Sequence, residues 1–353
     1  MRTILNQIHH AGALIYSLLT GSKLRRKSPT SISNLFEYNS RYLSVISAGF
    51  LALLLSSCSM LGAKKVMSSN TASKYVVIGD NGVTKISEDG RVWVSGGSSE
   101  SNLWNAVNVA NGQLFAVGMN GAVSYSTNAV NWSDVYSQDH RVWLYDVIFA
   151  NKRYVAVGMG GMIVSSANLR DWQQATTNTK SWLTSISYGN GIFISSGASG
   201  ALLKSHDGLA WQLESSPTQE WLSTVNFVNN KFLAVGSSGT ILNSSTGEFW
   251  QLLSSPTKNW LYGVSYGAGR YTVVGENSTI LSSVDGQNWS IVRHKLPKHI
   301  ALRSVIYADN QFVIVGAHGL IATSHDGLIW QKQDSTTKRG LYSITYYNPE
   351  ITP

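Results

Sequence analysis

Five sets of side chains in this sequence could do chemistry. Cationic groups crowd one short segment, Arg293, His294, Lys295, Lys298 and His299, and Arg303, Lys338 and Arg339 follow. So many positive groups on one side of a fold would dock an acidic partner such as a protein segment, a phospholipid head group or an anionic glycan. Four tryptophans, Trp143, Trp182, Trp221 and Trp260, recur thirty-nine residues apart. With open faces they would make an aromatic platform for sugar rings or a peptide. Buried, they would be a packing layer, and their regular spacing favours packing. The carboxylates are Asp146 in a strand-like run and Asp80, Glu220 and Glu276 in turns. Glycoside hydrolysis needs two carboxylates about 5–10 Å apart, and no spacing here pairs them, so no catalytic residue is assigned. His294, His299 and His318 could approach zinc as a trio. No ligand motif joins them, and no metal or other cofactor is expected. Cys58 is the chain's single cysteine, which rules out an intramolecular disulfide and a cysteine metal cluster.

These groups hang on a repeat. An apolar strand ends in Gly79, Gly118, Gly158, Gly197, Gly236, Gly275 and Gly316; fourteen residues after each glycine stands Trp93, Trp132, Trp172, Trp211, Trp250, Trp289 and Trp330. A period of about 40 residues built from short strands and tight turns is the signature of a β-propeller. Each repeat reads as four strands, A to D counted outward from the axis, with Gly and Asn where positive φ is cheap. The array starts and stops out of phase. Its first piece has only B, C and D, and its last, Leu341-Tyr-Ser-Ile-Thr-Tyr346, is a lone A strand. The reading is therefore an all-β, seven-bladed propeller over residues 74–348, with the C-terminal strand completing the N-terminal blade and removing open edges. In propellers the B–C and D–A loops share the face around the channel mouth, which places the four tryptophans and the basic loop there. One sector departs from the repeat. Before the seventh blade the D–A loop is two residues longer, Ala301 replaces the tryptophan, and Ser278 replaces a turn glycine. The sequence directs attention to that sector first. The recurring Val-Gly-x-x-Gly runs have no helix after them, as a phosphate-binding loop would require.

The net charge of +8 concentrates at the N-terminus, where Arg2, Lys23, Arg25, Arg26, Lys27 and Arg41 face a single acid, Glu37. The repeats are close to neutral, so no nucleic-acid partner is expected. The run Leu43 to Leu55 carries no charge and is too short to span a bilayer comfortably, but suits a signal-peptide core. Leu55-Ser56-Ser57-Cys58 resembles the bacterial lipobox. That resemblance implies a leader over residues 1–57, export, and a diacylglyceryl anchor on Cys58, with Ser59 after the cysteine implying the outer membrane. Residues 58–73 then read as a flexible tether with a reach on the order of 20 Å, and the acyl chains as the membrane anchor.

The C–D turns Ser87-Glu-Asp89-Gly90, Ser205-His-Asp207-Gly208, Ser283-Val-Asp285-Gly286 and Ser324-His-Asp326-Gly327, each followed by its tryptophan, resemble the Asp-box (BNR) repeats of the sialidase-like propeller superfamily. The copies with Asn128, Asn168 and Gly247 are degenerate. The arginines show no motif of the sialidase triad. The repeats are also similar to those of the photosystem II stability and assembly factor family. A propeller with a lipid anchor is similar to the propeller lipoprotein of the outer-membrane barrel assembly machine. These resemblances imply a membrane-anchored, non-enzymatic scaffold for an unknown and acidic protein partner. The alternatives are a carbohydrate-binding or glycoside-hydrolase-like propeller, with a glycan at its mouth, and a surface adhesin or host-facing factor.

Overall fold

In the computed structural model, residues 74–97, 103–136 and 142–348 are described. Cys58, the leader and the tether lie outside them. The described residues form seven four-stranded antiparallel sheets, which are the blades of a propeller. Blade one runs outward from the axis as Leu341–Tyr347, Lys74–Gly79, Val83–Ser87 and Val94–Ser95. The last strand of the chain thus closes the ring, as the out-of-phase repeat predicts. Lys74 pairs with Tyr347 at one end of this seam, and Gly79 with Leu341 at the other. The inner strands of blades two to seven are Trp104–Ala110, Leu144–Ala150, Leu183–Gly189, Leu222–Val228, Leu261–Gly267 and Leu302–Ala308.

Aromatic packing holds the blades against each other. In blade four Tyr188, Phe193 and Trp211 form a ladder with centroid steps of 4.6 and 6.3 Å. The same three-ring ladder is Phe227–Phe232–Trp250 in blade five, Tyr266–Tyr271–Trp289 in blade six, Tyr307–Phe312–Trp330 in blade seven and Tyr346–Tyr75–Trp93 in blade one. Tilted and edge-on pairs at these distances match the ring quadrupoles. In these five blades the recurring tryptophan is therefore the outer rung of a ladder whose middle ring is fully buried.

The turns that deliver those tryptophans work by hydrogen bonding, not charge. Asp207 Oδ1 accepts from the N–H groups of Leu209 and Ala210 at 2.8 and 2.9 Å, while Ser205 Oγ accepts from Gly208 N–H at 2.9 Å. Asn128 does the same for Val130 and Asn131, both at 2.9 Å, and Asn168 for Arg170 and Asp171. An Asx turn needs an acceptor oxygen, which either side chain supplies.

Inner strands have a free edge toward the channel, and neighbouring blades clothe it with side chains. Asn105 Nδ2 donates to Leu144 O at 2.8 Å, Thr184 Oγ1 to Leu222 O at 2.6 Å and Asn226 Nδ2 to Val264 O at 2.8 Å. Phe227 N–H donates to Ser187 Oγ at 2.8 Å, and Ile186 N–H to Asp146 Oδ2 at 3.0 Å. Leaving such backbone groups unpaired would cost free energy comparable to a lost hydrogen bond each.

The seven recurring strand-end glycines have extended backbone, so their role is not conformational. At Gly236 an added Cβ would stand 1.8 Å from Trp221 O. That carbonyl accepts the N–H of Ser237 at 2.8 Å, at a β-bulge in the first residues of the inner strand. The glycine admits the carbonyl, and the bulge fixes the backbone of the residue that begins the mouth.

Candidate binding site at the channel mouth

The axial channel opens into a basin of about 940 Å³. Its walls are the inner strands along much of their length, with the blade-one turn residues Asp80 and Asn81 and the rings of Trp143, Trp221 and Trp260 among the lining. The bulge described above holds Trp143, Trp182, Trp221 and Trp260 at its rim. Trp143, Trp182 and Trp260 are 36%, 42% and 38% exposed, and Trp221 is partly buried between its neighbours. The packing and platform readings each hold in part: the rings are part-exposed, and they also pack on one another from blade to blade.

The rim includes two further rings that the sequence reading missed. Ring contacts run unbroken from Trp143 to Tyr145 (6.5 Å), Trp182 (6.0 Å), Trp221 (5.8 Å), Trp260 (6.2 Å) and Tyr262 (6.2 Å). The Arg303 guanidinium caps this series, 4.5 Å from the Tyr262 ring centroid, a cation–π contact. The signal was present: Trp143-Leu-Tyr145 and Trp260-Leu-Tyr262 are the same phrase.

Three charged residues, Asp80, Asp146 and Arg303, line the basin. Asp80 is committed to the blade-one seam, where it accepts from Gly340 N–H at 2.7 Å and from the Tyr342 hydroxyl. Asp146 bridges blades three and four, accepting from Ser185 Oγ and Ile186 N–H at 3.0 Å each and from Val147 N–H at 2.8 Å. Burial pushes its pKa up to about 6, against the pull of these donors. A folded value above the unfolded one means that the native state holds a proton the unfolded chain has released. Asp146 therefore contributes most to stability below about pH 4 and loses that contribution as pH rises through about 6. Asp146→Asn should remove this dependence. Denaturant midpoints at pH 4.5 and 7.5 should show the wild type losing about 2 kcal/mol relative to the variant between them. Parallel pH profiles would refute the assignment.

The basic candidates divide. Arg293, Lys295, Lys298, His299, Lys338 and Arg339 are exposed, and Arg303 belongs to the aromatic rim. His294 is spent on structure: its Nε2–H donates to Ser278 O at 2.7 Å and its Nδ1 accepts from Leu296 N–H at 3.2 Å. The sector's irregularity has a packing cause. At the equivalent Gly200 and Gly239 a Cβ would lie 2.0 Å from the carbonyls of Thr218 and Thr257. Ser278 has that Cβ, and the longer loop clears it. Its Oγ donates to Pro297 O at 2.6 Å and accepts from Ile300 N–H at 3.1 Å. Among the described residues no group of three or more His, Cys, Asp or Glu is placed to hold a metal ion.

The chain shares its fold with YCF48. A solved structure of YCF48 bound to D1 peptide superposes with a TM-score of 0.59 at 15% identity, covering 80% of this chain and 94% of that one. YCF48 from Cyanidioschyzon merolae gives 0.56 at 13% identity, covering 71% and 97%. No family model matches the sequence, and no curated protein matches it.

Proposed function

We propose that this chain is a membrane-anchored, non-enzymatic scaffold that docks a protein partner across the channel mouth. The observation that carries this reading is the row of part-exposed tryptophans continued by two tyrosines and Arg303. Part-exposed Trp, Tyr and Arg are the residues that dominate protein-docking energetics. The basin's two carboxylates are already tied into inter-blade and seam hydrogen bonds, which suits a scaffold more than a hydrolase. The likeness to a propeller that carries a bound peptide supports the same reading. The exposed Lys295, Lys298, Lys338 and Arg339 would add electrostatic steering for an acidic partner. The lipobox-like Cys58 supports export and anchoring to the outer membrane.

Crosslinking capture from native membranes tests the whole reading. A photo-reactive residue at Trp182 should trap a defined partner, and one at Phe249, 82% exposed on a C–D turn, should not. Reversing Lys295, Lys298, Lys338 and Arg339 to Glu should reduce the yield at least tenfold, and Cys58→Ala should release the chain from the membrane fraction. Equal trapping at positions 182 and 249 would overturn the docking site. Retention of the Cys58→Ala chain in membranes would overturn the anchor.

A further inference from the structure

Resting on that docking reading, we propose that the mouth binds a proline-rich segment in the polyproline II conformation with an acidic residue at the Arg303 end. Three observations lead there. The first is the relief of the aromatic rim. Successive rings meet at 23° (Tyr145–Trp182), 80° (Trp182–Trp221) and 38° (Trp221–Trp260). A flat sugar ribbon stacks on rings whose faces share a plane. Rings turned against each other make clefts, and clefts between aromatic rings receive the ridges of a three-residue-per-turn polyproline helix.

The second is the polarity of the wall. The indole N–H groups of the four rim tryptophans are not taken up by hydrogen bonds among the described residues. Both lining carboxylates are consumed internally. The rim's ring edges therefore offer donors; of the two turn carboxylates beside them, Glu220 already accepts from Ser237 Oγ at 2.5 Å, and Glu276 adjoins Trp260. Proline segments are the complementary case: each residue presents a carbonyl and no N–H. A β-strand peptide would need an open strand edge, and side chains from neighbouring blades occupy the inner edges on the tryptophan side.

The third is charge. Among the described residues no carboxylate forms a salt bridge with Arg303, whose guanidinium carbon stands 4.5 Å from the Tyr262 ring centroid. A carboxylate on the ligand would complete it by a charge-assisted hydrogen bond. At about 3.1 Å per residue, a segment of about six residues covers the three ring-to-ring steps from Trp182 to Tyr262.

The probe is acetyl-hexaproline ending in a glutamate amide, titrated into the purified full-length chain with tryptophan fluorescence and calorimetry as readouts. Binding should weaken at least tenfold when the peptide's glutamate is replaced by glutamine. Arg303→Gln should erase that difference without touching the proline contribution. Trp221→Ala should weaken both peptides at least tenfold, while Trp221→Phe, which keeps a ring and guards against a folding defect, should weaken them less. No binding at millimolar peptide, or affinity indifferent to both Trp221 variants, overturns the proposal. So does binding of a β-1,4-linked glucose hexamer in place of the peptide. If the peptide fails while Trp221→Ala still abolishes the membrane crosslink, docking stands and the proline chemistry falls. If both fail, both readings fall.

Discussion

A chain ending at Gly340 is expected to lose its cooperative fold. The deletion removes Leu341–Tyr347, whose Leu341, Ile344 and Tyr347 are nearly fully buried. It also strips the hydrogen-bonded partner from Lys74–Gly79, a strand buried along its whole length. Tyr75 would lose Tyr346, the first rung of its ladder, and Asp80 would lose both Gly340–Leu341 geometry and the Tyr342 hydroxyl. An exposed, apolar, unpaired strand edge is a template for aggregation. The loss should exceed about 5 kcal/mol, comparable to the whole stability of an ordinary domain. Calorimetry should show no two-state transition and size exclusion should show oligomers. A synthetic peptide of residues 341–348 should restore the transition in part. A monomeric truncation with an unchanged melting temperature would show that the ring does not depend on its seam.

Gly236→Ala is expected to be the most damaging single methyl group among the recurring glycines. The new Cβ would fall 1.8 Å from Trp221 O, a contact that backbone must yield to. Yielding breaks the Ser237 N–H bond to that carbonyl and shifts Trp221 at the rim. A cost of about 3 kcal/mol or more follows from strain of this kind, and in a domain of this size it would lower Tm by roughly 6–12 °C. Ligand or crosslink yield at the mouth should fall with it. Gly160, in the B–C turn of blade three, is the control. It sits at φ +68° with nothing within 4 Å of its ideal Cβ, and Asn81, Asn120 and Asn277 occupy the equivalent turn position at φ 54–60°. Gly160→Asn should change stability by less than about 1 kcal/mol. Equal melting temperatures for the two variants would remove close approach as the reason for the recurring glycine.

The repeat made the fold legible because strand periods, turn glycines and the phase offset of Leu341–Tyr347 all agree. The mouth was legible only in part. Spacing reports that Trp143, Trp182, Trp221 and Trp260 recur, but not whether a recurrent side chain faces a neighbouring blade or the solvent. The bulge decides that, and a bulge is a backbone event with no residue type of its own beyond the glycine that admits it. The sector around Ser278 was visible as a departure from the repeat, but its meaning was not. A Cβ where other blades have hydrogen explains the longer loop, and His294 is part of that repair. Asn128 and Asn168 look degenerate as letters and are equivalent as acceptors.

The seam of blade one also sets a direction. Gly79 and Leu341 lie at the mouth end of that strand pair, and Lys74 and Tyr347 at its far end. The polypeptide thus joins the ring on the face opposite the tryptophans and leaves it there as well. The described ring is thus a cup whose two chain ends share the base and whose aromatic rim is the brim.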